Sequence, residues 1–335
     1  MAKLRGEGRS TLTKAVTLGL CVANPVSLYA LELGHPEELL GGCLCVAAVL
    51  VALRGRPVLA GILLGLAIAN KEWALLAAGP VLLALPRGRT RAICLASTLA
   101  VAGAVLAPLT LASSGGFVAS AGAAAAPPAD IFQPWQIWWF LGHHGPLVHG
   151  LFGAPKPGYR TAPAWAGEVS HPLIILIGAL VAAALWLRNR RLDAQQAMLA
   201  LALVLLLRSV LDTWDAVYYP LPFLLALLVW ELGEGKRKIT SASRHRPPLL
   251  ALTSTVLVWA SFEWLPAHLS PDAQAALFLA WTLPLIGWLA LRLLAGGLPA
   301  TAEAKTTQGA FAPNAPRGRP QEMTVSSLER LVRTS

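Results

Sequence analysis

Ten apolar runs separated by short polar connectors set what this chain can fold into: residues 15–33, 39–53, 57–70, 73–86, 92–112, 172–187, 194–211, 216–233, 248–266 and 273–294. A helix needs about 20 mostly apolar residues to cross the roughly 30 Å hydrocarbon core of a bilayer. Within that core every backbone N–H and C=O must be bonded inside the protein, a condition that a helix meets by itself. Composition agrees. Hydrophobic residues make up 56% of the 335 and charged residues 13%, against roughly 25% charged in a soluble domain, and mean hydropathy is +0.59. The expected fold class is all-α, a polytopic transmembrane helix bundle of about ten spans. The second, third and fourth runs are short, and one of them suits a re-entrant segment. The domain reading is a cytoplasmic segment over 1–14, a membrane domain over 15–294, and a largely disordered cytoplasmic tail over 295–335, rich in Ala, Thr, Pro and Arg.

The connectors alternate in character. Lys3, Arg5, Arg9 and Lys14 precede the first run; Arg54 and Arg56 follow the second; Arg87, Arg89 and Arg91 the fourth; Arg188, Arg190 and Arg191 the sixth; Lys236, Arg237, Lys238, Arg244 and Arg246 the eighth. Lys and Arg accumulate in cytoplasmic loops, so this alternation predicts a multi-pass protein of the plasma membrane with both termini cytoplasmic. It also accounts for the net charge of +10 without a nucleic-acid partner, since the cations are dispersed between apolar runs. No small-residue cleavage site precedes Asn24-Pro25, so the first run reads as a retained span. Cys21, Cys43, Cys45 and Cys94 all sit in apolar runs and read as buried, inert thiols; Cys43 and Cys45, two apart, point to different helix faces. No nucleotide-cradling motif is present.

The other connectors carry the chemistry. His35, Glu37 and Glu38 stand around Pro36; two carboxylates beside an imidazole suit acid–base catalysis, or the ordinary start of a helix with Pro and acids in its first turn. Lys71 is a cation against the charge rule, offset by its neighbour Glu72 or free to hold a phosphate. Residues 113–171 form one large extracytoplasmic loop, in which Phe132–Phe140 contains Gln133, Trp135 and Gln136. Three tryptophans there suit the headgroup level, as an interfacial helix or re-entrant hairpin with a ligand role, or as a plain aromatic anchor. His143, His144, His149 and His171, with Asp130 and Glu168, lack a spacing that fixes a tetrahedral metal site, and a histidine bonded to a sugar or phosphate is the simpler use. Tyr159 and Arg160 follow Lys156 on a stiff turn suited to an anion, or to solvent. Arg208 and Asp212, four apart, can pair on one helix face, and with Asp215 and Tyr219 they offer carboxylates and rings to sugar hydroxyls, or a structural ion pair. No cofactor is expected, with a divalent metal left open.

Asn24-Pro25, Gly34-His35-Pro36-Glu37-Glu38, Arg56-Pro57, Gly61, Gly65-Leu66-Ala67, Asn70-Lys71 and Pro80, then Phe132-Gln133-Pro134-Trp135-Gln136 and Asp212-Thr213-Trp214-Asp215 with Tyr218-Tyr219, resemble the GT-C membrane glycosyltransferases, most closely glycosyltransferase family 87, over residues 24–265. The resemblance implies transfer of a sugar, mannose first among the options, from a polyprenyl-phosphate donor to an envelope glycolipid or polysaccharide. Transfer would take place on the extracytoplasmic side, with inversion, and a loop carboxylate would deprotonate the acceptor. Lys71, Arg160 and His171 are the donor-phosphate candidates it suggests. Such families place the catalytic aspartate in a loop after a first span; that span, loop and aspartate have no counterpart after Met1, so the expectation is a truncated chain or a pseudo-enzyme, with Glu37, Glu38 or His35 as substitutes for the base. A lipid-carrier translocase and a non-catalytic subunit of an envelope-assembly complex are the alternatives. The polar clusters at span ends, and the lack of an internal repeat, weigh against the translocase.

Overall fold

The computed structural model describes residues 11–112, 115–116, 119, 131–144, 160–188, 191–237 and 247–295, all within the unit Met1–Gly297. The helices are α1 (Thr11–Val22), α2 (Pro25–Glu32), α3 (Pro36–Leu53), α4 (Pro57–Asn70), α5 (Ala78–Ala84), α6 (Arg89–Ala112), α7 (Ala164–Arg188), α8 (Ala194–Leu211), α9 (Leu221–Arg237), α10 (Leu249–Trp259) and α11 (Pro271–Ala295). Two-residue strands β1 (Ile131–Phe132) and β2 (Arg160–Thr161) pair antiparallel. Seven helical stretches are long and apolar enough to cross a membrane, and three shorter apolar ones accompany them, Pro57–Asn70, Glu72–Ala84 and Leu221–Gly233. The architecture is the all-α polytopic bundle expected from the apolar runs.

Proline and asparagine place the breaks. The first run is not one helix. Asn24 is extended and its side chain accepts the Val26 N–H, while Pro25 opens α2; proline has no N–H to continue the ladder and is well placed at a helix start. Pro36 and Pro57 open α3 and α4 in the same way. Gly34 and Gly55 take φ of 80° and 70° just before those starts, a left-handed conformation that glycine adopts without strain. The fourth run is also divided: a 3-10 turn over Glu72–Ala77 precedes α5. In a continuous α-helix the Pro80 ring would clash with the Leu76 carbonyl. The ninth run widens to a π-helical turn over Ala260–Trp264 after α10.

Helix α8 is the axis. Fourteen of its 18 residues are buried, and α3, α5, α7, α9 and α11 pack around it. A helix apolar on every face belongs inside a bundle. Its start is fixed by Asp193 and Gln196, which form a reciprocal capping box. By contrast α6 and α7 present Leu95, Leu99, Ile175, Leu176 and Leu180 outward, as a lipid solvent requires. Cys45 and Cys94 are buried as expected, whereas Cys21 and Cys43 are exposed. The outer face of a membrane helix is as apolar as its inner one, so position in an apolar run does not decide burial.

Polar contacts gather at two opposite ends. One holds Arg191 donating to the Ala84 carbonyl at 3.1 Å, Arg188 to Leu294 at 3.3 Å, and Glu231 accepting the N–H groups of Leu250 and Ala251 at the start of α10. The other joins the starts of α3 and α11, the ends of α4 and α8, and the β1–β2 segment. These are the two alternating sets of connectors seen in the sequence.

Along α4, Gly61 and Gly65 face the backbone of α6, where added Cβ atoms would collide with the Cys94 and Thr98 carbonyls. Small residues at this spacing let membrane helices approach closely. Gly61→Val is expected to destabilise the protein by about 1–3 kcal/mol, read as thermal unfolding in detergent. Gly103→Val, where a Cβ meets nothing within 4 Å, should leave the transition nearly in place.

Candidate substrate site at the polar end of the bundle

A buried ion pair anchors this end. Arg208, in the last turn of α8, sets both terminal nitrogens on the Glu38 carboxylate at 3.2 Å each. Trp73 donates its indole N–H to the same carboxylate at 3.2 Å, and the guanidinium also reaches the Tyr219 carbonyl at 3.3 Å. It lies 4.7 Å from the Trp73 ring and 4.6 Å from the Tyr219 ring. Gly41 makes this possible, because a Cβ there would press on the Trp73 ring at 3.0 Å. Arg208 therefore pairs across the bundle with Glu38, not along its own helix with Asp212. The i, i+4 geometry permits the local pair, but Asp212 has left the helix: its φ and ψ of −68° and 145° are extended.

Beside it is a more open cluster. Glu37 Oε1 lies 2.8 Å from His35 Nδ1 and 3.4 Å from Lys71 Nζ. The Glu37 carbonyl accepts the Asn70 amide at 2.8 Å, tying the end of α4 to the start of α3. The His35 ring stacks on Tyr218 at 4.2 Å. Side chains here remain reachable, with 26% exposure at Glu37, 32% at Lys71 and 38% at His35. Lys71 thus takes Glu37 as its ionic partner and not its neighbour Glu72, which opens the 3-10 turn and is exposed. Adjacent residues on a turn diverge, while the α3 start sits across from the α4 end.

The turn after α8 supplies the third part. His171 Nε2 lies 3.5 Å from Asp212 Oδ1, and that oxygen accepts the Trp214 N–H at 3.1 Å. Asp215 is buried; Oδ1 accepts the Ala216 N–H at 2.9 Å, and Oδ2 has no hydrogen-bond partner. Burial pushes its carboxyl well above the usual carboxylate range, and Asp212 adds to the shift.

The aromatic segment is neither a helix nor a hairpin. After β1 it runs through turns to a single 3-10 turn, Trp139–Leu141, and it is pinned to helix ends. Trp138 donates to the Leu211 carbonyl at 2.7 Å, Gln136 to Thr213 at 2.6 Å, and Trp135 to Ser261, in the π turn, at 2.8 Å. Trp139 donates to Asp272 at 2.9 Å. Pro134 and the indole partners explain the difference from a helix: each N–H finds a backbone or carboxylate acceptor on the bundle. Gln133 and Gln136 are buried, each with an unpartnered side-chain oxygen. Arg160 is buried too, bonded to Asp272 at 2.8 Å and to the Gly142 carbonyl at 3.3 Å.

The fold therefore brings together His35, Glu37, Glu38, Lys71, Arg208, Asp212, Asp215, Tyr219, His171 and, through Thr213, Gln136. Arg160 and Trp135 serve the platform of the 131–144 segment on α11 and the π turn. His144 is exposed at the end of that segment. Tyr159, with Asp130, His149 and Lys156, lies outside the described residues. Sequence reasoning marked Asn70 and Tyr218 only as landmarks of the resemblance, without a role in the site, and did not place Trp73 or Asp272 there. Asp272 follows Ser270-Pro271 at a helix start, which explains an acid there locally but gives no hint of Arg160, 112 residues away. Among the described residues no group of three His, Cys, Asp or Glu side chains is placed to hold a metal ion.

Residues 2–211 match the family model described as glycosyltransferase family 87. The match takes in α1 to α8 with His35, Glu37, Glu38, Lys71 and Arg208, and stops at the edge of the Asp212–Tyr219 turn. No curated protein and no solved structure matches the chain.

Glu38→Gln is expected to leave Arg208 buried without its counter-charge and to cost about 3–5 kcal/mol of stability. Adding Arg208→Met should recover much of that loss, because the remaining groups no longer include an unpaired charge. Thermal unfolding of the single and double variants in detergent checks both expectations.

Proposed function

The chain belongs to glycosyltransferase family 87, a family of membrane glycosyltransferases, and from that premise we propose that the polar end of the bundle transfers a sugar from a polyprenyl-phosphate donor. The sugar proposed is mannose, the acceptor an envelope glycolipid or polysaccharide, and the working side extracytoplasmic. The orientation rests on charge: Arg54, Arg56, Arg87, Arg89, Arg91, Arg188 and Arg191 belong to connectors of the opposite end, where a cytoplasmic leaflet favours them.

The observation that carries the reading is the open cluster of Glu37, His35 and Lys71 at the mouth of an apolar bundle. Three functions can be divided among these groups. Glu37 is the carboxylate with reach, and it accepts the proton of the acceptor hydroxyl as that oxygen attacks the anomeric carbon. Lys71, an ammonium within the same cluster, meets the donor phosphate as it leaves with the bonding electrons. His35 orients Glu37 from the other side. Glu38 is buried and triply bonded, so it acts on the site only by fixing Arg208. His171 and Asp212 form a second imidazole–carboxylate pair, suited to sugar hydroxyls. Arg160, bonded to Asp272 and to the Gly142 carbonyl, is assigned in this reading to holding the 131–144 segment.

Glu37→Gln in reconstituted vesicles should lower turnover about 10²–10⁴-fold, the range for loss of a general base, with the donor KM changed far less. Lys71→Ala should lower kcat more than it raises the donor KM, because the phosphate oxygen gains charge as it leaves. A Glu37→Gln enzyme with undiminished transfer from a labelled lipid-linked sugar sinks the assignment of the base. A wild type that moves the lipid across the bilayer but transfers nothing supports a translocase instead.

A further inference from the structure

The buried charges around the Asp212–Tyr219 turn do not balance if every acid is ionised. Arg208 is the buried cation, and its fork is taken by Glu38. Asp212 has His171 at 3.5 Å. That leaves Asp215, 1% exposed, with Asp212 and Glu38 adding negative potential and only the already committed Arg208 opposing it. Tyr218 and Tyr219 on the same turn carry no charge at neutral pH, and His35 stacks on Tyr218; the 131–144 segment meets the turn through Gln136 and Trp138, neither of which ionises, while its histidines stand at its end, where His143 pairs with Thr161. An isolated buried carboxylate in that setting is costly, and taking up a proton relieves it.

Two orphaned atoms point the same way. Asp215 Oδ2 is buried without a partner, and so is Gln136 Oε1. The Gln136 amide cannot be turned round to cure this, because its Nε2 donates to the Thr213 carbonyl at 2.6 Å, and reversal would set two oxygens face to face. Gln136 Oε1 therefore needs a donor, next to a turn whose second acid has a bare oxygen. A carboxylate and an amide oxygen cannot satisfy each other, whereas a carboxylic acid and an amide oxygen can.

We propose that Asp215 is a neutral carboxylic acid at physiological pH and donates a hydrogen bond to the Gln136 amide oxygen, directly or through one buried water, as the residue that positions the aromatic segment on the turn bearing Asp212. Its positioning role rests on the function proposed above; its protonation does not. Ionisation at high pH would remove the donor and repel Asp212, loosening the segment from the turn.

Infrared spectra of the purified protein test protonation without any activity. The wild-type minus Asp215→Asn difference at pH 7 should contain the C=O stretch of a neutral acid, and Gln136→Leu should move that band towards the position of an acid without an acceptor. Carboxylate bands in its place, or a band indifferent to Gln136→Leu, overturn the proposal. Stability gives a second reading. An acid whose pKa is higher folded than unfolded opposes folding increasingly as pH climbs from its unfolded value, about 3.9, towards the folded one. Asp215→Asn keeps a donor and cannot ionise. It should melt above the wild type at pH 8, with the gap closing towards pH 5. A gap that stays constant with pH, or widens on acidification, overturns the proposal as well. Failure of these readings leaves Glu37-dependent transfer standing, and loss of transfer leaves them untouched.

Discussion

A guanidinium cut off from water has to be answered by the protein, and the answer to Arg208 organises everything around it. Charge alone would not suffice, since removing two ions from water costs as much as their attraction returns unless further hydrogen bonds complete the pair. Here the carboxylate takes both arms of the fork and the Trp73 indole, while the guanidinium has the Tyr219 carbonyl and two aromatic rings. Those groups come from α3, the 3-10 turn before α5, α8 and the turn after it. Four separate parts of the chain are thereby fixed at the place where Glu37, Lys71 and Asp212 are presented.

The rest of the bundle keeps polarity away from its middle. Helix α8 passes through the core with aliphatic side chains on every face, and its polar residues fall in its first and last turns. Hydroxyls within the spans are used locally: Thr98 and Thr282 return to carbonyls four residues back, at 2.9 and 2.7 Å. A protein arranged in this way offers a charged substrate group one kind of place to dock, at an end, and offers an apolar chain the sides.

Much of the bundle was legible because lipid imposes a simple rule on length and apolarity. Among the described residues the helices follow the apolar runs, seven stretches being long and apolar enough to cross a membrane, and the alternation of Arg54–Arg56, Arg87–Arg91 and Arg188–Arg191 with the acidic and aromatic connectors foretold which ends would meet. The breaks were less legible. Asn24-Pro25 was visible as punctuation, but Pro80 acts four residues upstream of itself and the π turn at Ala260–Trp264 has no local signature. In the site, residue types could be picked out but not their partners. Glu38 and Glu37 are adjacent and alike on paper; one faces Arg208, 170 residues away, and the other faces Lys71. Which acid is sealed and which is open depends on the 100° between neighbouring helix positions and on what α8 brings opposite. The family resemblance narrowed the chemistry and left those pairings undetermined.

One oxygen does an unusual share of the anchoring. Asp272 Oδ1 holds both Trp139 and Arg160, and the backbones of His143 and Thr161 bond each other in both directions at 3.0 Å. The chain leaving this clip at His144 and returning at Arg160 starts and finishes at nearly one point. Loss of that single carboxylate would therefore release the aromatic segment and β2 from the start of α11 together.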